Sequence, residues 1–376
     1  MKKGIGRPLR KVIQFVKKET VLVIAALLAI ASMILVPPNA QYFNYIDYSV
    51  IGILFCLMLA VAGFMELGML DSISAKLITK ARNVKILRII LINCVFFSSM
   101  FFTNDVALIA FVPVTIGIFH FIGRDKLIST VVLETIAANI GSMLTPIGNP
   151  QNLYLYSFYH IHILDFWKTV LPVGIVGYLV IMCILFVSKS GSIEVSPKRQ
   201  FDFNNKKALL AYFSGIFILC VLTVLRVIDY RICVAVVLVS IIILDRKLFK
   251  KVDYGLLLTF AAFFIFVGNI EQLPVVKDAL SSFLSGRVLG TSIISSQVIS
   301  NVPAAMMISR FTDDARNVLL GVNIGGIGTL IASLASLISF KLYAKSDGAS
   351  PVKYLGVFTV YNVAVLILLL LAAVLL

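Results

Sequence analysis

The chain has 376 residues, of which 60% are hydrophobic and 14% are charged, and its mean hydropathy is +1.01. A soluble protein of this length needs about a quarter of its residues charged. The composition therefore excludes a soluble protein and predicts an integral membrane protein. The net charge of +15 does not indicate nucleic-acid binding, because the lysines and arginines fall in short loops between apolar runs.

The predicted elements are mainly apolar runs, each long enough to be a membrane span. They begin after a basic segment, 1–19, which we place in the cytoplasm. A second polar and basic stretch, 189–207, predicts a cytoplasmic linker between two halves, 20–188 and 208–376. The predicted spans lie at about 20–36, 49–70, 128–158, 168–188, 208–225, 231–244, 254–270, 317–340 and 354–376.

The segment 89–121 is apolar but carries three polar residues, Thr103 to Asp105, at its centre. Basic residues flank it on both sides, so both of its ends face the cytoplasm. Two full crossings need about 40 residues and this segment is shorter. We therefore predict a re-entrant hairpin with the three polar residues at its tip.

Charge placement supports this topology. With the N-terminus inside, the cytoplasmic segments hold most of the chain's 33 lysines and arginines, as the positive-inside rule requires. The result depends on segment 279–309 not crossing, because a crossing there would place Lys341, Lys345 and Lys353 outside. We therefore predict a second hairpin at 279–309, entering from the outside.

Two of the predicted spans, 128–158 and 317–340, are broken. The first contains Pro146 and Pro150, and proline removes a helix N–H and clashes with the preceding turn. The second contains a glycine-rich stretch, 325–329. Backbone groups freed from a helix are tolerated in a bilayer if they line a cavity. In such a cavity, helix N-termini suit anions and unwound carbonyls suit Na⁺.

The order of features in the first half recurs in the second. Our topology gives the halves opposite orientations, and such inverted repeats are typical of transporters whose binding site lies at the membrane midplane. For any single small or polar residue, helix packing is the alternative role. The matching segments are GFME (63–66) and GNIE (268–271), FFTNDVALI (101–109) and VISNVPAAM (298–306), and NIGSMLTPIGN (139–149) and NIGGIGTLIAS (323–333).

Other reactive residue types indicate no enzyme chemistry. The five cysteines lie in apolar runs without CxxC pairing, which predicts buried hydrophobes and no disulfide or zinc site. His160 and His162 lack a third ligand, and no HExxH, Walker A or GxSxG motif occurs. The roles of Glu66, Glu134 and Glu271 stay open between function and snorkelling to the interface.

Four motifs resemble the ion transporter superfamily, and particularly its citrate-transporter-like and arsenite-permease-like branch. FTNDVAL and SQVISNVP are similar to the two hairpin tips of that family, and LTPIGNPQN and NIGGIG to its broken-helix loops. The resemblance covers about residues 20–376 and is strongest to bacterial inner-membrane permeases. It implies a scaffold domain and a transport domain that moves as an elevator, with carboxylates, arsenite, or Na⁺ against H⁺ as cargo.

Carried over onto this chain, the resemblance implies a substrate site at the two tips and the two loops. The substrate-binding residues are Thr103, Asn104, Gly148, Asn149, Asn152, Ser300, Asn301, Asn323, Gly326, Gly328 and Thr329. The ion-coupling residues are Asp105, Asn104, Gly141, Ser142 and Thr145, with Asp105 as the candidate ligand of a Na⁺ ion.

The chain departs from the family pattern in three places. Dicarboxylate members carry Ser-Asn-Thr at both tips, whereas here Asp105 ends the first tip and would repel a dianion. The second loop lacks the Pro-Ile-Gly of the first, which argues against a symmetric second ion site. The first half is one span shorter than the usual repeat, which predicts 1–19 as an amphipathic interfacial helix.

The prediction is therefore an all-α, multi-pass secondary transporter of the inner membrane that moves a small anion or oxyanion with Na⁺ or H⁺. A cation/H⁺ antiporter with Asp105 as its ion site is the alternative, and a non-transport membrane subunit is a third. We expect no cofactor beyond the coupling ion. The expected partners are a small inorganic or organic ion and membrane lipid, without nucleic acid, and a homodimer is left open.

Asp105 is the most informative residue in this prediction. A carboxylate in apolar surroundings costs a few kcal/mol even on the mildest scales, unless a cation or a proton neutralises it. The alternative role is a cap on the second half-helix, since Asp is a favoured N-cap and suits the positive end of the helix dipole. The two roles can coexist.

Overall fold

The structure is a computed structural model that describes residues 19–70, 81–122, 126–188 and 206–375, together with 16 and 191. The described part of the chain is built from helices and contains no β-strand. This confirms the predicted all-α fold; segment 1–19 and the linker lie almost entirely outside the described residues. The helices are α1 Thr20–Leu35, α2 Tyr42–Tyr45, α3 Tyr48–Glu66, α4 Val84–Phe102, α5 Asn104–Ile122, α6 Leu127–Met143, α7 Pro150–Phe158, α8 Ile163–Val187, α9 Lys207–Val224, α10 Tyr230–Leu244, α11 Tyr254–Glu271, α12 Pro274–Leu284, α13 Val288–Ile299, α14 Asn301–Ser309, α15 Ala315–Gly325, α16 Leu334–Ala344 and α17 Pro351–Leu375, with a 3₁₀ turn at Arg246–Lys251.

Several of these helices are long and apolar enough to cross a membrane. By length and composition, six helices of the described residues qualify, namely α3, α4, α8, α9, α11 and α17. The predicted spans 20–36 and 231–244 give the shorter helices α1 and α10, of 16 and 15 residues. The predicted broken spans are each two helices, α6 with α7 and α15 with α16.

The first predicted hairpin is longer than its sequence segment suggests. Asn83 caps α4 by accepting a hydrogen bond from the Ile86 N–H at 2.9 Å, so the helix begins at Val84 instead of 89. Both arms, α4 and α5, then have 19 residues each, so the argument from length loses its force. Re-entrance of this hairpin therefore stays a prediction.

The second hairpin is shorter than its predicted segment, 279–309. Its arms are α13 and α14, and the predicted start falls inside the separate helix α12. A turn at Ser285 to Arg287 divides α12 from α13, and Gly286 supplies the positive φ of 69° that this turn uses.

Both hairpins break at a residue with the same unusual backbone conformation. Thr103 has φ 70° and ψ 153°, and Ser300 has φ 75° and ψ 152°. Glycine is the usual residue in this region, and a residue with a side chain there costs about 1–3 kcal/mol. The tips are therefore strained, and the surrounding contacts must hold them.

The helices pack into two groups. In the first, which we call the tip block, α4 and α5 pack on α6, α13 and α14 pack on α15, and the halves cross over through α5 with α16 and α14 with α7. In the second, which we call the outer block, α1 packs on α11, and α9 and α10 pack on α3. Helices α8 and α17 contact each other and α6.

Candidate functional site

The two predicted tips meet at one cavity of about 100 Å³. Asn104 of the first tip and Ser300 and Asn301 of the second line it, together with Asp105. Residues that begin the two broken-helix continuations, α7 and α16, complete the lining. The first residues of four helices, Asn104, Pro150, Asn301 and Leu334, therefore surround the same space.

Each tip is tied to its own loop by one backbone hydrogen bond. The Asn104 N–H donates to the Gly148 carbonyl at 3.2 Å, and the Asn301 N–H donates to the Ala332 carbonyl at 2.9 Å. Gly148 and Ala332 occupy the same place in the two repeated segments, 139–149 and 323–333. The same backbone hydrogen bond, from a tip N–H to a loop carbonyl, therefore occurs at equivalent positions in both halves.

A second pair of matched bonds fixes the arms of the hairpins to the loops. The Thr145 hydroxyl donates to the Met100 carbonyl at 2.5 Å. The Thr329 hydroxyl donates to the Gln297 carbonyl at 3.0 Å. Met100 and Gln297 each stand three residues before their strained tip residue, so these bonds help to hold that conformation.

Buried side-chain amides connect the halves to each other. The Asn139 Oδ1 accepts from Asn104 Nδ2 at 3.0 Å and from the Ser333 hydroxyl at 3.0 Å. The Asn323 Oδ1 accepts from Asn149 Nδ2 at 3.2 Å. Asn139 matches Asn323 in the repeats, and Ser333 matches Asn149, so these two cross-links are again equivalent.

The carbonyls of the first loop already hold a donor. The Asn152 side-chain nitrogen donates to the Ser142, Met143 and Thr145 carbonyls at 3.4, 3.1 and 3.1 Å. The Asn152 Oδ1 accepts from Asn323 Nδ2 at 2.6 Å. Asn152 therefore fills the space where freed carbonyls would hold a cation.

The second loop is filled in the same way by a residue of its hairpin. The Gln297 side-chain nitrogen donates to the Gly325 and Ile327 carbonyls at 2.6 and 3.3 Å. Its Oε1 accepts from the Thr329 N–H at 2.8 Å. Gly328 lies so close to Gln297 that a Cβ at 328 would meet Oε1 at 2.2 Å.

These donors bear on whether Na⁺ fits the loops. Na⁺ needs several oxygen atoms that are free to face it, and each loop presents its carbonyls to an amide N–H instead. Among the described residues, no group of three or more His, Cys, Asp and Glu could hold a metal ion. In this structure the two loops do not fit a cage of oxygen ligands for Na⁺.

Asp105 lines the cavity, and one of its carboxylate oxygens has no hydrogen-bond partner among the described residues. This oxygen, Oδ1, is buried. At the start of α5, the Asp105 N–H donates to the Oδ1 of Asn104 at 3.0 Å. Asp105 also lines a neighbouring cavity of about 310 Å³, which Thr103, Glu66 and Lys251 share.

Not every predicted site residue reaches the cavity. Gly141 lies at the contact of α4 and α6, where a Cβ would meet the Phe96 carbonyl oxygen at 2.2 Å, so its observed role is close packing. Ser142 accepts from Asn149 Nδ2 at 3.3 Å inside the amide network. Thr329 is exposed and bound to Gln297.

Gly326 does reach a tip, because a Cβ there would meet Asn301 Nδ2 at 2.8 Å.

The sequence interpretation missed four residues that the structure places at the site. They are Asn139, Gln151, Gln297 and Ser333. All four lie inside the repeated or family-like motifs, which was the available signal.

Comparisons with known proteins agree on the class of protein. A family model for the citrate transporter matches residues 12–316. An uncharacterized transporter of Methanocaldococcus jannaschii is 35% identical over 306 residues, which cover 80% of this chain and 83% of that protein. The inner membrane protein YbiR of Escherichia coli is 31% identical over 302 residues, 79% of this chain and 80% of YbiR.

One solved structure has a similar fold. The crystal structure of the YdaH transporter of Alcanivorax borkumensis, described as having an unusual topology, matches with a TM-score of 0.56. The match covers 89% of this chain and 87% of that chain at 14% sequence identity. At that identity the likeness concerns the fold alone.

Proposed function

The chain belongs to the citrate transporter family of membrane transporters, and on that premise we propose that it is a secondary active transporter for a small anion or oxyanion. We place it in the inner membrane with its N-terminus in the cytoplasm. Family membership removes the alternative of a non-transport subunit. The family is one of transporters and not of enzymes.

The convergence of four helix N-termini on one cavity carries this proposal. The N–H groups of Asn104 and Asn301 already bind loop carbonyls, so the feature that all four helix starts share is the partial positive charge of the helix dipole. Such ends bind anions, and here α5, α7, α14 and α16 all begin at the cavity. The side-chain amide of Asn301 adds a directional donor, whereas that of Asn104 already donates to Asn139 Oδ1.

The matched contacts of the two halves support an inverted repeat around this site. Both tips share one backbone conformation, one bond to a loop carbonyl and one bond from a loop threonine. Equivalent hydrogen bonds to asparagine side chains then cross between the halves. Transporters with this design bind cargo between the repeats and move one block against the other. We propose that the tip block moves against the outer block.

Three charged residues in the cavity lining bear on the side that the cavity faces. Glu19, Asp253 and Lys341 line it, and our predicted topology assigns all three to cytoplasmic ends of their helices. We infer that the structure represents an inward-facing state. Asp105 in the cavity lining disfavours a dianion, so a singly charged or weakly acidic oxyanion suits the site best.

A cation/H⁺ antiporter is the second candidate. The observation that favours it is the buried, unpartnered Oδ1 of Asp105 at the same cavity. In either function Asp105 is the group at the cavity that takes up the coupling ion. Because amide nitrogens fill both loops, we propose that this ion is H⁺ and not Na⁺.

Proteoliposomes distinguish the two functions. Purified protein is reconstituted and uptake of citrate, phosphate, sulfate and arsenite is measured with an imposed pH gradient, an imposed Na⁺ gradient, or neither. We expect uptake of at least one anion that the pH gradient accelerates and the Na⁺ gradient does not. Na⁺ or K⁺ exchange for H⁺ without uptake of any anion would establish the antiporter instead.

A further inference from the structure

A second buried carboxylate lies in the tip block, away from the cavity. Glu134 is in the middle of α6 and its side chain is fully buried. Its Oε1 accepts a hydrogen bond from the Thr115 hydroxyl of α5 at 2.5 Å. Its Oε2 is buried and has no hydrogen-bond partner among the described residues.

The nearest buried cation does not neutralise Glu134. Arg88 of α4 donates from Nε to the Thr130 hydroxyl at 3.0 Å and from Nη2 to the Ser129 hydroxyl at 3.2 Å. In the described part of the chain, Glu134 has no ion pair within 4.0 Å, although Arg88 is one of its electrostatic neighbours. An ionised carboxylate so placed would be buried with one hydrogen bond and no ion pair.

The other groups around Glu134 do not supply a positive charge. Cys94 of α4 and Tyr354 of α17 also interact electrostatically with Glu134, and each is neutral when protonated and negative when deprotonated. From α16, the Ser339 hydroxyl bonds Thr135, the neighbour of Glu134 in the chain, at 2.7 Å.

We propose that Glu134 is a proton-binding site, and that its proton controls the packing of the first hairpin on α6. A neutral carboxylic acid fits this place, because Oε1 keeps the hydrogen bond that the Thr115 hydroxyl donates and the group carries no charge. The buried Oε2 then belongs to a neutral carboxyl, and an unpartnered neutral oxygen costs far less than a charged one.

Release of the proton changes the local balance of charges. The carboxylate of Glu134 then attracts Arg88, which can exchange its hydroxyl partners for an ion pair. Ser129 and Thr130 stay satisfied in that exchange, since both hydroxyls also donate to the Lys126 carbonyl, at 3.1 and 2.7 Å. The two arms of the hairpin, which carry Arg88 and Thr115, thus have two packing states.

A cavity on the predicted cytoplasmic side reaches as far as Arg88, an electrostatic neighbour of Glu134. Arg88 lines a cavity of about 470 Å³ with Lys126, Ser129 and Ser188, at the end of the molecule that the charge distribution places in the cytoplasm. On the other side, α6 continues from Glu134 to Asn139, which bonds the tip residue Asn104 at 3.0 Å. A proton at Glu134 is therefore linked to the position of the substrate tip.

Infrared spectroscopy of the purified protein in lipid tests the binding of the proton without any substrate. A protonated carboxyl group has a C=O stretch that an ionised carboxylate lacks. We expect a component of this band in the wild type that falls in intensity as pH rises and is lost in Glu134→Gln, separate from the component that a protonated Asp105 contributes. Thr115→Val retains the carboxyl but removes its hydrogen bond, so the band should remain and shift to higher frequency.

Two variants show that the band belongs to Glu134. Glu66→Gln removes an exposed carboxylate whose side chain is 60% accessible and which pairs with Lys251 at 3.5 Å, and it should leave the band unchanged. Asp105→Asn should also retain the component that belongs to Glu134. A wild-type spectrum without the band, or a band that is the same in Glu134→Gln and Thr115→Val as in the wild type, would overturn the proposal.

The coupling role of the proton rests on the proposed function and has its own readout. In proteoliposomes, Glu134→Gln should lose the acceleration of anion uptake by a pH gradient while exchange of the same anion at equal pH continues. Wild-type acceleration in this variant overturns the coupling role. If the wild type transports none of the four anions yet shows the infrared band, the proposed function fails and the proton site stands.

Discussion

Asp105 places a carboxylate beside the amides of both tips, and its Oδ1 has no partner among the described residues. If it takes up the coupling ion, Asp105→Asn should still fold and insert but lose gradient-driven uptake. The amide keeps the size of the side chain and removes only its charge and its ability to bind a proton. Uptake with and without a pH gradient measures the effect.

The matched control for this variant is Asp313→Asn, which removes an exposed carboxylate outside the cavity. It should transport like the wild type. Coupled uptake in Asp105→Asn at the wild-type rate would remove Asp105 from the ion pathway. Asp105 would then contribute only a favourable charge at the start of α5.

Gly148 shows how closely the first loop is packed. A Cβ added at 148 would lie 2.2 Å from the Ser142 carbonyl oxygen, which is backbone and cannot move independently. We expect Gly148→Ala to destabilise the protein by about 1–3 kcal/mol and to displace the carbonyl that binds the Asn104 N–H. Thermal unfolding in detergent measures the change. Gly215→Ala, where nothing lies within 4 Å of the new Cβ, should unfold at or slightly above the wild-type temperature.

At the scale of the elements, the orientation of the second hairpin decides the repeat. Its arms are α13 and α14, and our topology places both of its ends outside. Single cysteines at Ser285 and Asp313, which are exposed, should both react with a membrane-impermeant maleimide in intact cells. The exposed Cys183 lines the cavity at the predicted cytoplasmic end and is first replaced by serine, since it would react as background after permeabilisation.

The opposite face supplies the control for this labelling. Asp347 is exposed and lies in a predicted cytoplasmic loop, so a cysteine there should react only after the membrane is permeabilised. A hairpin that crosses the membrane would protect one of the two outer positions until permeabilisation. That pattern would exclude the opposite orientation of the halves.

For the whole molecule, the prediction is relative motion of the tip block and the outer block. Phe64 of α3 and Phe102 of α4 contact each other across the two blocks, with ring centroids 5.5 Å apart. Cross-linking of a Phe64→Cys/Phe102→Cys pair with a short bifunctional thiol reagent should stop uptake, because transport requires the blocks to separate. A reagent that can be cleaved by reductant should restore it.

A pair within one block controls for damage by the reagent. Thr135 and Ser339 lie in α6 and α16 of the tip block, with their hydroxyl oxygens 2.7 Å apart. Cross-linking cysteines at these positions should leave uptake intact. Undiminished uptake after complete Phe64–Phe102 cross-linking would show that the blocks transport cargo without moving apart.

The sequence by itself determined the features that depend on local order. Apolar runs mark helices because each run is long enough to bury itself in lipid, and Pro146 and Pro150 break a helix wherever it lies. The tips at Thr103 and Ser300 and the order of the repeated motifs could also be predicted, since polar residues in such runs are costly unless they have a purpose.

Only the tertiary structure decided which groups satisfy one another. The partners of the amide network are far apart in the chain, as for Asn149 with Asn323 and Asn139 with Ser333, and no local pattern indicates such pairings. The same holds for Gln297, whose side chain fills the second loop, and for Glu134, whose isolation depends on α4 and α5. Each result follows from packing between distant segments, because burial and hydrogen-bond geometry exist only once those segments are in contact.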